Sequence, residues 1–171
     1  MFRRPVTWVV IGVVAVGAAF GLYWFAPWKL FTSTTVHENL SSPAPVTTSA
    51  GPSATAAAPA GPVVLAQGTF VSHEHSTTGT ARIVRGPDGS RQLEIAGLAT
   101  SDGPDVRVWL TDSAPKPVRY LELGKLKGNR GDQAYPIPAG ADLSPYHHVT
   151  IWCVRFSVSF GAAQLDQPAG G

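Results

Sequence analysis

Residues 6–25, VTWVVIGVVAVGAAFGLYWF, include no charged side chain. A helix rising about 1.5 Å per residue over such a run spans the roughly 30 Å apolar layer of a bilayer. Trp8 lies near one end and Tyr23, Trp24 and Trp28 near the other, where interfacial aromatics gather. A cleaved secretory signal is the competing reading, because Gly17, Ala18 and Ala19 imitate a cleavage site. Cleavage there would start the mature chain with the apolar sequence FGLYWFAPW, so the uncleaved anchor, residues 1–28, is preferred. Arg3 and Arg4 precede the run and only Lys29 follows closely. The positive-inside bias therefore places the amino terminus in the cytoplasm, with a single pass through the plasma membrane and the rest of the chain outside.

Composition divides the remainder of the chain. Residues 29–66 read as a juxtamembrane segment and a stalk. Leu30, Phe31, Val36 and Leu40 are expected on the headgroup surface. Residues 41–62 are Ser, Pro, Ala, Thr and Gly with Val46 as the only larger apolar residue, too little to bury a core. This stretch is expected to be a disordered spacer reaching roughly 25 Å. The formal net charge of +2 is a membrane feature: between Gln67 and Asp166 ten basic residues balance ten acidic ones, and the surplus is Arg3, Arg4 and Lys29 against Glu38. Without a basic patch interleaved with aromatics, nucleic-acid binding is not expected.

Residues 67–166 read as one β domain, with a tail at 167–171. Residues 79–85 run into Gly86-Pro87-Asp88-Gly89 and return at 91–95, a hairpin. Residues 69–71, 106–111 and 118–123 read as further strands. Residues 123–133, rich in glycine and polar groups, read as an exposed loop. Tyr135-Pro136-Ile137-Pro138 is extended and confined to an edge by its prolines. Residues 141–146 suit one helical turn, and His148 to Phe160 is the densest β-forming run. About seven short strands in this length point to an all-β fold, an antiparallel β-sandwich of immunoglobulin-like type.

Cys153, the only cysteine of the chain, lies within that last run. Read as one continuous strand, the run puts Thr150, Trp152, Val154, Phe156, Val158 and Phe160 on an apolar face. The opposite face carries Val149, Ile151, Cys153, Arg155, Ser157 and Ser159, so the thiol is expected away from the centre of the core, beside Arg155. A lone cysteine outside the cytoplasm is free, paired with another chain, or holding a group. The ordinary fate of a free cysteine is a small buried hydrophobe, and the reactive alternative needs an exposed, electropositive setting. His73 and His75 share a strand face, while His147 and His148 precede the cysteine strand and point opposite ways. Imidazole and thiolate are haem and soft-metal ligands, yet CxxC, CxxCH and HExxH are all missing, so no metal site is assigned. Residues 124–131 lack GxxxxGK[ST] and a following helix, which weakens a phosphate cradle there.

Gly68-Thr69-Phe70, His75 to Gly79, Gly103-Pro104-Asp105-Val106 to Leu110, Leu123-Gly124 to Gly131-Asp132-Gln133, Tyr135-Pro136-Ile137-Pro138 and Val149-Thr150-Ile151-Trp152-Cys153 to Phe160-Gly161 occur in that order. Together they resemble the DM-thirteen domain, a family described as an electron-transfer β domain and often found beside DOMON domains. The resemblance implies a DOMON-like all-β body and a redox role for Cys153, as a naked thiol or as the holder of a group such as haem. His75 and His148 are the accessory ligands expected with it. The protein then reads as a membrane-anchored electron carrier served by a separate donor or acceptor, rather than an enzyme with its own substrate. The alternative is a non-catalytic extracellular binding or adhesion module, with an inert buried Cys153 and an exposed apolar patch elsewhere.

Overall fold

The computed structural model describes residues 4–25, 27–30, 32–41 and 61–167. Most of the expected stalk (42–60) and the last residues of the tail lie outside the described residues. Helix α1, Arg4–Phe25, contains the whole uncharged run, with none of it packed inside the protein. A single 3₁₀ turn at Pro27–Leu30 follows.

Among the described residues nine strands then form one curled sheet: β1 Thr35–His37, β2 Val63–Ser72, β3 Thr78–Arg85, β4 Arg91–Ala99, β5 Val106–Thr111, β6 Tyr120–Lys125, β7 Arg130–Ile137, β8 His148–Cys153 and β9 Val158–Gln164. Their order is β1-β7-β4-β3-β2-β9-β8-β5-β6, and the curl brings β6 back beside β7. β2 links the two halves, because its first part pairs with β3 and Phe70–Ser72 pairs with β9. The fold is all-β as expected, in a single mixed sheet, since β1 runs parallel to β7. Alternation sets the core: Leu93 and Ile95 of β4, Val108 and Leu110 of β5, and Val149 and Ile151 of β8 are all fully buried. Each such side chain contributes about 1.5–3 kcal/mol.

The expected hairpin appears as β3 and β4, and the turn at Gly86–Gly89 closes with the Gly89 N–H donating to the Gly86 carbonyl at 3.0 Å. Pro136 sits in β7 beyond the reach of β1, which pairs only with Arg130–Asp132. Its missing N–H therefore leaves no gap between strands. Residues 123–133 depart from the exposed loop expected of them. They supply the end of β6 and the start of β7, and Asn129 and Gln133 are buried. The Gln133 amide donates to the Gly128 carbonyl at 2.7 Å, and the buried Tyr135 hydroxyl donates to Gln133 Oε1 at 2.7 Å.

The juxtamembrane segment also differs from its expected place on the lipid headgroups. The Thr34 N–H donates to Asn129 Oδ1 at 2.7 Å, Lys127 Nζ bonds Glu38 Oε1 at 2.7 Å, and the Ser41 N–H donates to Glu94 Oε1 at 2.8 Å. β1 crosses so close to Gly131 that a Cβ there would stand 1.9 Å from the Val36 carbonyl oxygen, and Gly131 has a φ of 97°. Only glycine accommodates both conditions. The sheet thus begins before the Ser/Pro/Ala-rich segment, and Ser41 and Val63 both belong to the folded body.

The largest correction concerns the run from His148 to Phe160. It is a hairpin of β8 and β9 joined by a turn at Val154–Ser157, with Ser157 at a φ of 54°. The Val154 N–H donates to the Asp105 carbonyl at 2.9 Å, which draws the chain out of the strand direction immediately after Cys153. The faces exchange accordingly. Val149, Ile151 and Cys153 point into the core, Trp152 lies on the outer face, and Val154 and Phe156 are exposed. The turn lacks Gly, Pro, Asn and Asp, and so gave no local signal of itself.

Candidate functional site

Cys153 ends β8, between Val106 of β5 and Val158 of β9. Its exposure is 0%, and it is part of the main apolar core. This overturns the expectation of a thiol at the rim beside Arg155: the side chains of Cys153 and Arg155 are separated by the start of the turn. Phe160 and Val106 close this end of the core. A Cβ on Gly103 would lie 2.8 Å from Val106 Cγ2 and 3.2 Å from Phe160 Cζ, so the 103–105 loop backbone fits tightly over both.

His75 comes to this end of the fold. Its ring lies 3.9 Å from that of Phe160, centroid to centroid, and its Nδ1 is 3.0 Å from Ser101 Oγ. His73 is held by Ser159 Oγ at 2.7 Å from its Nδ1. The connection carrying both histidines is fastened to β9: the His73 N–H donates to the Phe160 carbonyl at 2.9 Å, and the buried Thr77 hydroxyl donates to the same carbonyl at 3.2 Å. Thus Phe160 stands between the His75 imidazole and the apolar core that holds the thiol.

His148 is at the opposite end of β8, paired with Thr111 and Gln164 and on the outer face. Four residues of strand lie between it and Cys153, a separation of roughly 16 Å at strand rise. Its Nδ1 is buried without a hydrogen-bond partner. Burial, reinforced by the neighbouring His147, pushes its pKa below the usual histidine value. The structure therefore brings His75 toward the cysteine end and leaves His148 away from it.

A haem held by these residues does not fit. An axial ligand must present its sulfur to the iron, whereas the Cys153 side chain is enclosed and His148 faces away on the other side of the sheet. The nearby cleft, about 190 Å³, is lined by Asp102, Gly103, Asp105 and Asn129 among others, and Cys153 does not border it. That volume falls below the roughly 300 Å³ at which small-molecule sites begin. Among the described residues no cluster of three or more His, Cys, Asp or Glu side chains is placed to hold a metal ion.

Sequence reading missed one feature beside the thiol. Trp152, the neighbour of Cys153 on the outer face, stacks on Trp109 at 5.1 Å, and Trp109 stacks on Tyr120 at 4.0 Å. Three rings thus cross β8, β5 and β6 and end at the sheet edge, where Tyr120 is half exposed. Beside them Arg107 bonds Asp105 at 2.9 Å and also Glu122, and both carboxylates hold its pKa above the ordinary arginine value. The Trp109 Nε1–H donates to Glu122 Oε2 at 3.3 Å. Trp109 stands directly opposite Glu122, whereas its two ring partners, Trp152 and Tyr120, are diagonal to it, and such pairs are visible only once the register is known.

A family model described as Electron transfer DM13 matches residues 69–165, more than half of the chain. Comparison with curated proteins and with solved structures returned no match.

Proposed function

Because the chain belongs to the Electron transfer DM13 family, we propose that it is a redox module carried outside the plasma membrane on α1, with its amino terminus in the cytoplasm and Cys153 as its redox group. The observation that carries this reading is the family match, which extends over almost the whole β domain and includes the one cysteine. The helix preceding the domain, uncharged over Val6–Phe25, supports the anchor.

Enclosure of the sulfur limits how such a module works. Thiol–disulfide exchange needs direct attack of one sulfur on another, and the closed fold keeps Cys153 from any partner sulfur. Transfer of electrons across packed groups needs no such contact: the Cys153 thiol would give one electron to an acceptor protein and its proton to solvent, and the resulting thiyl radical would regain both as a donor protein reduces it. The Trp152–Trp109–Tyr120 stack offers a line of touching rings from the residue beside Cys153 to the sheet edge. Separate donor and acceptor proteins would meet the domain there. His75 and His148 then serve outside any shared ligand set with the thiol.

A second reading is favoured by a specific observation. A sulfur with no exposure, together with Val118 at 84% and Tyr120 at 52% exposure on the edge, is what a displayed binding module would have. Mediated coulometric titration of the full chain in lipid nanodiscs separates the two. The redox reading expects the wild type to exchange electrons and Cys153→Ala to lose that exchange while keeping its fold. A wild-type protein that takes up and releases no electrons over the accessible range refutes it and leaves the binding module.

A further inference from the structure

We infer that the Val154–Ser157 turn is a second membrane contact, lying on the bilayer surface beside the end of α1 and holding the domain with its Cys153 end toward lipid. This rests on the membrane-anchored reading above and adds an orientation to it. Arg155 Nη1 donates to the Trp24 carbonyl at 2.7 Å, and its guanidinium carbon stands 4.4 Å from the centre of the Trp24 ring. The Phe156 ring stacks on Phe25 with centroids 6.4 Å apart and planes 18° from parallel. Trp24 and Phe25 are the last two residues of the 20-residue apolar run. They mark the depth at which hydrocarbon gives way to headgroups, so a turn touching both lies at that depth.

The composition of the turn agrees. Turn tips in water are built from Gly, Pro, Asn, Asp and Ser, as in Gly86-Pro87-Asp88-Gly89-Ser90 between β3 and β4. Here the turn is Val154-Arg155-Phe156-Ser157, with Ser157 its one residue of those types and with Val154 38% and Phe156 48% exposed in the protein alone. Apolar side chains on either side of a long cation suit the interface, with the hydrocarbon side chains dipping in and the charge staying among the headgroups. The link between the helix and the domain is short. β1 begins at Thr35, and Thr32 Oγ1 already reaches Asp102 Oδ2 at 3.1 Å. Asp105 at this end is paired with Arg107 at 2.9 Å, a cation it shares with Glu122. Because Asp102 also lies here, the surface that fits is a zwitterionic phosphatidylcholine bilayer, recognised by apolar insertion more than by charge.

The test uses the full chain in phosphatidylcholine nanodiscs, with a nitroxide label at Phe156→Cys, at Val118→Cys and at Val13→Cys, each in a Cys153→Ala background. Val118 lies in the β5–β6 connection, at the end of the sheet away from the turn. Collision with oxygen, which concentrates in lipid, is compared with collision with a water-soluble nickel chelate. The label at 156 is expected to be severalfold less accessible to nickel than the label at 118, and more accessible to oxygen, with the label at 13 deepest. A Val154→Cys label provides a second reporter and is expected to follow 156. If 156 and 154 are as open to nickel as 118 while 13 is in lipid, the turn contact is overturned and the anchor stands. If 13 is open to nickel, or the chain fails to co-float with lipid, both are overturned.

Discussion

The enclosure of Cys153 can be tested through the rate at which a thiol reagent reaches it. A reagent reaches Sγ only when the end of the β8–β9 hairpin opens. Opening breaks the pairing of Cys153 with Val106 and Val158 and the bond from Val154 N–H to the Asp105 carbonyl. Exposing about two buried apolar side chains costs about 3–6 kcal/mol, and the lost hydrogen bonds add about 1–2 kcal/mol. With each 1.4 kcal/mol worth tenfold, an opening cost of about 4–8 kcal/mol slows the reaction by about 10³–10⁶ relative to the unfolded chain. The assay is pseudo-first-order labelling of the full chain by an aromatic disulfide reagent, in nanodiscs and in concentrated guanidinium at the same pH. Phe160→Ala removes the ring that closes this end of the core, and it is expected to raise the native rate by at least about tenfold. Val118→Ala, exposed at the other end, is expected to leave the rate unchanged. Native labelling within about tenfold of the unfolded rate would refute the reasoning and restore an open thiol.

Three further outcomes are expected from groups elsewhere in the fold. Burial of the Glu94 carboxylate raises its pKa, but hydrogen bonds from Ser41, Arg82 and Gln92 outweigh that and hold it below the usual value. Its stabilising effect is therefore present above the unfolded glutamate value, near 4.3, and lost as pH falls through the lower folded value. Glu94→Gln should cost about 1–3 kcal/mol in urea denaturation at pH 7 and progressively less below pH 4. His148, whose pKa is lowered by burial, works in the opposite sense: below about 6.5 the unfolded chain takes up a proton that the folded one resists, so acidification from pH 7 to 5 destabilises. His148→Gln should flatten that part of the stability–pH curve, as read by thermal melts. Gly131→Ala would push a Cβ against the Val36 carbonyl at a left-handed φ. It should cost more than about 1 kcal/mol, with faster amide exchange at residues 35–37 read by mass spectrometry.

Taken by itself, the amino-acid order determined what local chemistry can determine. An uncharged stretch as long as a bilayer is thick makes α1. The Gly-Pro-Asp-Gly turn flanked by β-formers makes the β3–β4 hairpin. A chain punctuated by turn residues, with no helical period after residue 30, makes an all-β body, and the ordered set of motifs indicated its family. Three things needed the tertiary structure. Alternation along β8 shows that two faces exist, but the pairing of Cys153 with Val106 and Val158 decides which one is inside. The turn at Val154–Ser157 depends on a bond to the Asp105 carbonyl and on contacts with Trp24 and Phe25, all distant in sequence. β1 is a strand because Asn129, Lys127 and Gly131 receive it, whereas three residues of mixed polarity carry no pattern of their own. The same physical reason underlies each. A strand's side chains repeat every two residues whatever its neighbours, and only the neighbours break the tie between its faces and supply the partners that end it or hold it.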